Sequence, residues 1–314
     1  MKYVKLGRTG LDCSQLGFGT WQIGGGRWKA LDPQKSVALL RHAAECGVNT
    51  FDAAIVYGQY RGALGEKCSH SLDLLGKAFF GNRRSEAIIC LKVGQLDEYS
   101  HRAAYEPHNM VEQIRRGLSQ LKTDYLDICL IHAPTISEIR DGRALSVVQT
   151  IQALGVARFV GYSFEAEPEH AKLALDQGVD VIMLQYNLLD QQCAEIFDIA
   201  ANRGVGVLVG GPFKRGYLSG RFAKPEDLPQ EDDYWAWTLR HAKQKVEDLL
   251  LAATQLKNEA GGAAELRRKA LYHILRHRGA NCAIVGHRTI EEITENAELI
   301  DDLFPAAQTL PFVA

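Results

Sequence analysis

One pattern of apolar and polar positions returns along the chain. A helix-like stretch ends at a glycine, a short apolar run follows, and the run closes on a polar or glycine-rich end. It reads ECGVNTFD up to Asp52, then ALGVARFVGYS, DQGVDVIMLQ, NRGVGVLVGG and HRGANCAIVG. Gly47, Gly155, Gly178, Gly204 and Gly279 stand where a helix C-terminus takes a left-handed residue. The runs after them are short and rich in β-branched residues, as strands buried on both faces are. Strands are predicted at 16–19, 48–52, 87–92, 126–131, 157–162, 180–184, 205–209 and 282–285. Helices are predicted near 33–46, 70–79, 108–121, 143–154, 168–177, 191–203, 239–258 and 289–300. Asp32-Pro33 supplies an N-cap and a proline at the first helical position, and Asp190 is expected to cap the sixth helix in the same way.

Strand and helix alternate eight times, which predicts an α/β fold, a single (β/α)8 TIM barrel. An open doubly wound sheet is the rival. It expects G-x-G-x-x-G after the first strand, and LGFGTWQIGGG departs from that at Gln22. Residues 1–13, VKLG and LDCS around RTG, read as an N-terminal β-hairpin covering one end of the barrel. Lys214–Leu239 reads as a long loop carrying Trp235 and Trp237, a length often tied to function.

Composition narrows the picture. At roughly 150 residues per domain, 314 residues suggest about two domains, but a barrel of about 250 residues is one, so residues 1–314 are expected to form a single domain. Apolar residues are 46% and charged residues 24%, as in globular proteins. Net charge is 36 − 38 = −2, which gives no general attraction to nucleic acid or to an anionic membrane. No apolar run is long enough to span a bilayer, and MKYVKLGRTG lacks the apolar stretch of a signal peptide. The seven cysteines form no C-x-x-C pair and fall largely inside apolar runs, so a reducing, cytoplasmic setting is expected.

In a barrel of this kind active sites form at the C-terminal strand ends. There the chain places Asp52, Lys92, His132, Ser163 and Gln185, with Tyr57 shortly after Asp52. Each alone has an ordinary explanation: a rim lysine that snorkels, a packed loop aromatic, a satisfied histidine. Ionisable groups on successive strands about 4.8 Å apart can, however, converge on one point. No metal is expected, because no His/Asp cluster has ligand spacing such as H-x-H.

These motifs together resemble the aldo-keto reductases: LGRTGLDCSQLGFGTW at the start, NTFDAAIVYG, LKVG, DYLDICLIHAP, GYSF in part, IMLQYNLLD, GGPFKRGYLSG and IVGHRTIEEITEN. The resemblance runs in order from residue 6 to residue 296. It implies a nicotinamide-dependent reduction of an aldehyde, ketone or sugar-like carbonyl, with Asp52, Tyr57, Lys92 and His132 as the catalytic tetrad. Tyr57 would be the general acid, Lys92 would lower its pKa, Asp52 would hold Lys92, and His132 would orient the carbonyl oxygen. The implied cofactor is NADPH. Thr20, Trp21 and Asp52 would lie at its nicotinamide end, and Ser163 and Gln185 at the carboxamide. Pro212, Phe213, Gly216 and Leu218 would hold the pyrophosphate, and Gly286, Arg288, Glu292 and Asn296 the adenosine, with Arg288 suited to a 2′-phosphate. Trp21, Trp28, Tyr57, His132, Trp235 and Trp237 would wall the pocket for a small-molecule substrate.

Two positions depart from the family pattern. Ser163 is followed by Phe164 where an Asn is usual, and Gly210 stands where an aromatic usually stacks on the nicotinamide. Either Phe164 fills the room that Gly210 leaves, or it faces the outer helices. The chain also lengthens the segment after Tyr57 around KCSHSLD. The altered contacts keep two alternatives open: a nicotinamide-binding regulatory protein, as the potassium-channel beta subunits of this family illustrate, or a specialised biosynthetic enzyme.

Overall fold

A computed structural model describes residues 1–98 and 103–304. An antiparallel hairpin, β1 (Tyr3–Lys5) with β2 (Asp12–Ser14), precedes the first barrel strand, β3 (Leu16–Gly19). Next come α1 (Pro33–Glu45), β4 (Thr50–Ala54), and a second antiparallel hairpin, β5 (Gln59–Arg61) with β6 (Lys67–Ser69). Then follow α2 (His70–Ala78), β7 (Ile88–Val93), α3 (Pro107–Leu121) and β8 (Leu126–His132). The chain continues through α4 (Ile136–Asp141), α5 (Arg143–Ala153), β9 (Ala157–Ser163), α6 (Pro168–Asp176) and β10 (Val181–Gln185). It ends with α7 (Ala194–Arg203), β11 (Gly206–Gly210), α8 (Asp233–Ala260), α9 (Ala263–Leu275), β12 (Cys282–Gly286) and α10 (Ile290–Leu303).

Eight parallel strands close into a barrel in the order β3, β4, β7, β8, β9, β10, β11, β12 and back to β3. Strand alternation sends one set of side chains inward and the other toward the helices. Ile88, Cys90, Ile128, Leu130, Val181, Met183, Leu208, Cys282 and Ile284 form a buried inner cluster, closed at the N-terminal end by Leu6 and Leu11 of the first hairpin. The opposite set makes the larger layer between barrel and helices. A third cluster, with Trp28, Tyr217, Leu228, Tyr234 and Trp235, lies outside both. Among the described residues, no helix is long and apolar enough to cross a membrane.

Three local expectations are corrected. Asp190 does not cap a helix: α7 opens at Cys193 with no side-chain cap, and the Asp190 carboxylate pairs with Lys214. Gly47, Gly155, Gly178 and Gly204 are left-handed just past helix ends, but Gly279 is not. Gly279 is needed for close approach, since a Cβ there would stand 2.0 Å from the Phe197 carbonyl oxygen. The segment expected as a long loop holds two short 3-10 turns, Lys214–Ser219 and Pro225–Asp227, and α8 already starts at Asp233. Trp235 and Trp237 therefore stand on a helix.

Candidate active site

Barrel register sets the first contacts. Gly19 stands opposite Asp52, Ala54 opposite Lys92, and His132 opposite Ser163. Thr20 ties two strand ends together, its N–H and hydroxyl donating to the Asp52 carbonyl at 3.0 and 2.8 Å. Within this frame the Lys92 ammonium donates to Asp52 Oδ2 at 2.8 Å and lies 4.9 Å from the Tyr57 ring centre. It also reaches Met183 Sδ from β10 at 3.7 Å. The His132 ring meets Tyr57 edge-on, centroids 6.1 Å apart, while Trp21 stacks on Tyr57 at 5.9 Å. The Tyr105 hydroxyl donates to the His132 carbonyl at 2.6 Å, fixing the end of β8. Asp52, Tyr57, Lys92 and His132 are thus brought to one place at the barrel mouth.

Burial dominates the electrostatics. It pushes the Asp52 carboxyl above its ordinary range against the pull of Lys92. Burial would lower Lys92, but the Asp52 and Tyr57 charges outweigh it and hold the ammonium protonated. Tyr57 departs from the expected lowering: burial raises its pKa, Asp52 and Glu98 add to the rise, and Lys92 only opposes it. The phenol is therefore kept as a proton holder near neutrality.

The expected cofactor positions line the other side of the mouth. Ser163 is buried at the tip of β9, and Gln185 stands opposite Gly210. A Cβ on Gly210 would rest in ordinary contact with Gln185 Cγ and the Leu184 carbonyl oxygen, both at 3.8 Å, so the backbone leaves space for a side chain there. Phe164 does not fill that space: it packs outward on Tyr162 and toward His170 of α6, because Ser163 before it takes the inward direction. Past Pro212 and Phe213, Lys214, Arg215 and Gly216 all adopt positive φ, a strained run for the first two, and Leu218 is buried. Arg215 pairs with Glu165 at 3.4 Å.

Beyond β12 the side chains are engaged with one another. The Arg288 guanidinium donates to the carbonyls of Gln22 and Lys29 at 3.0 and 2.9 Å. Glu292 accepts from the Arg288 N–H and pairs with Arg221 at 2.5 Å. Gln22 covers Gly286, where a Cβ would clash with its side chain. The Asn296 amide donates to His287 Nε2 at 3.2 Å, leaving its buried Oδ1 without a hydrogen-bond partner.

Of the expected pocket wall, Trp21 packs on both Tyr57 and Trp28, meeting Trp28 edge to face at 5.2 Å. Trp235 lies behind Trp28, 1% exposed. Trp237 is 50% exposed, with the Arg27 guanidinium 5.7 Å from its ring centre. Sequence reading missed Glu98, Gln22, Tyr105 and Tyr234. Only the position of Glu98 soon after a strand-end lysine, together with the run Gly24-Gly25-Gly26, could have drawn attention to it.

The chain is similar to known proteins over nearly its whole length. The family model described as the Aldo/keto reductase family matches residues 15–309. Aldo-keto reductase YhdN of Bacillus subtilis (strain 168) is 27% identical over 315 residues, covering 95% of this chain and 88% of its own. The NADH-specific methylglyoxal reductase of Escherichia coli (strain K12) is 26% identical over 269 residues, covering 80% of this chain and 79% of its own. The holo form of aldo-keto reductase AKR11C1 from Bacillus halodurans superimposes with a TM-score of 0.75 at 26% identity, covering 96% of this chain and 91% of that one.

Proposed function

The chain belongs to the aldo/keto reductase family, and from that premise we propose that it is an NADPH-dependent oxidoreductase reducing an aldehyde, ketone or sugar-like carbonyl to the alcohol. The observation that carries the reading is the Lys92–Asp52 pair at 2.8 Å, with its ammonium against Tyr57 and His132 alongside. Reduced nicotinamide, when bound, supplies the hydride. Tyr57 donates its phenolic proton to the carbonyl oxygen as the alcohol forms, and takes it back in the reverse reaction. Lys92 stabilises the phenolate left behind, Asp52 keeps Lys92 charged and placed, and His132 donates a hydrogen bond that orients the carbonyl.

The residues facing the cofactor side fit such a group. The side-chain room at Gly210, the unpartnered Asn296 Oδ1 and the strained backbone at Lys214 and Arg215 are features a ligand would use. Thr20, Trp21, Ser163 and Gln185 would hold the nicotinamide end, and the Pro212–Leu218 segment the pyrophosphate. Gly286, Arg288, Glu292 and Asn296 would hold the adenosine. NADPH rather than NADH rests on Arg288, whose fork would exchange two backbone carbonyls for a 2′-phosphate. The seven free cysteines fit action in a reducing compartment.

Steady-state oxidation of NADPH against a panel of aldehydes, ketones and aldoses tests the assignment. Turnover with at least one class is expected. Tight NADPH binding with no carbonyl turned over would favour the regulatory reading instead.

A further inference from the structure

The loop after β7 carries a carboxylate that the proton-transfer scheme leaves unused. Glu98 is 6% exposed. Its Oε1 accepts the Trp21 indole N–H at 2.5 Å and the Arg27 N–H at 3.4 Å, and its Oε2 accepts the Gly58 N–H at 3.3 Å. Glycines make the room. Gly26 has φ +73, and a Cβ there would stand 2.2 Å from Glu98 Oε2. Gly58 has φ +62, and its Cβ would stand 2.0 Å from the Gly24 carbonyl oxygen. Two loops are thereby pressed against one carboxylate. Burying a carboxylate is costly unless N–H groups answer it, as they do here on both oxygens.

What the carboxylate holds is Tyr57. The Gly58 N–H belongs to the peptide that leaves Tyr57, and the Trp21 indole stacks on the Tyr57 ring with an interplanar angle of 29°. The backbone handle and the ring handle on the phenol both end at Glu98. We propose that Glu98 is a positioning residue for Tyr57, aiming the proton donor from behind through the Gly58 peptide and the Trp21 ring. This rests on the reading of Tyr57 as proton donor. The charged and titratable groups around Tyr57 are Asp52 from β4, Lys92 from β7, His132 from β8 and Glu98 from the loop, with Arg27 acting on Glu98. The Glu98 charge opposes phenolate formation, so its removal makes Tyr57 a stronger acid.

Glu98→Ala and Glu98→Gln are compared with the parent in carbonyl reduction and alcohol oxidation. Glu98→Ala should lower kcat by about ten- to a hundredfold, the scale of a misplaced reacting group. Glu98→Gln keeps an acceptor for the Trp21 N–H and should recover part of that loss. The rising limb of its oxidation pH profile, where Tyr57 must lose its proton to act as the base, should move to lower pH. A scaffold role alone would lower kcat and leave that limb in place, and this result overturns the proposal. Should Glu98→Ala fail to fold, the limb in Glu98→Gln decides. If the parent turns over no carbonyl, the reading of function has failed, and the anchoring is measured separately by acrylamide quenching of tryptophan emission. Glu98→Ala should then raise quenching in the parent and not in a Trp21→Phe background; equal quenching in both overturns the proposal.

Discussion

The two sides of the barrel mouth are built differently. On the β4–β7–β8 side the functional groups stand on or beside strand ends and are locked by the barrel: Lys92 on Asp52, Thr20 on the Asp52 carbonyl, Tyr105 on the His132 carbonyl. On the β11–β12 side they stand on loops and helix starts and bond to one another: Lys214 to Asp190, Arg215 to Glu165, Arg221 to Glu292, Arg288 to two carbonyls. The first side is pre-organised for chemistry, where small displacements are costly. On the proposed reading the second must exchange partners to take a phosphate, so its affinity would be the difference between new bonds and the bonds given up. Substitutions on the first side should therefore change rate, and substitutions on the second should change binding.

Tyr57→Phe gives the largest expected effect. Removing a positioned general acid should lower kcat by roughly 10²–10⁴. The cofactor dissociation constant should stay within a factor of about three, because the hydroxyl faces Lys92 and not the loops beyond β11. Single-turnover kinetics beside a fluorescence titration measures both. Parallel loss of rate and affinity would erase the contrast between the two sides.

Acid should destabilise the fold through the buried His287. His287 is fully buried beside Phe18 and Asn296, and burial pushes its pKa from 6.5 down to about 4. Above pH 6.5 both folded and unfolded chains hold it neutral. Between 6.5 and 4 the unfolded chain takes up a proton that the folded chain refuses, so stability falls as pH falls through that window. The loss reaches on the order of 3 kcal/mol by pH 4. Burial also lowers His273 to about 4, which adds in the same direction. Urea denaturation from pH 7 to pH 4.5 should show a shallower decline for His287→Gln than for the parent; identical slopes would remove His287 from the account.

The same contrast explains what could be read from the chain. Strand ends are legible because a short apolar run marks each strand, in five of the eight after a glycine, and a polar residue at its tip stands out. Asp52, Lys92 and His132 are of this kind. Partners across loops are not. Asp190 beside a helix start looks like a cap, and only the fold brings Lys214 to it. Gly279 after a helix looks like a left-handed residue, and only packing shows that the Phe197 carbonyl excludes a side chain. The β5–β6 hairpin escapes notice because GQYRGALGEKCS is short, charged and without apolar alternation. Glu98 escapes because its three donors come from two other loops. The rise in the Tyr57 pKa follows from the depth of burial, which residue type alone does not carry.

Arg288→Ala tests whether the second side reads a 2′-phosphate. Loss of a charge-assisted pair of hydrogen bonds should weaken NADPH by about tenfold to a hundredfold and leave NADH within about threefold. The variant also frees the carbonyls of Gln22 and Lys29, which tie down the loop bearing Trp21 and Trp28. Titrating both cofactors separates the two effects. Equal weakening of both would show that Arg288 serves the loop and not the phosphate.

The smallest expected effect on cofactor binding lies where the two sides meet, at the tips of β9 and β11. Phe164 packs on Tyr162 and His170 in the outer layer, so Phe164→Ala should cost stability, about 3–5 kcal/mol, and leave NADPH affinity unchanged. Gly210 does not hold a positive φ, and a Cβ there would make only ordinary contacts at 3.8 Å, so Gly210→Tyr meets no backbone obstacle at its Cβ. Its ring can enter the mouth from the strand tip and offer the nicotinamide an aromatic face. The expected gain in NADPH affinity is about 0.5–1.5 kcal/mol, the worth of an aromatic pair beyond simple burial. Fluorescence titration of Phe164→Ala, Gly210→Tyr and the double variant should find the two effects independent, since one residue faces the helices and the other the mouth. Weaker binding in Gly210→Tyr, restored by Phe164→Ala, would mean that Phe164 reaches the mouth after all once a cofactor is bound.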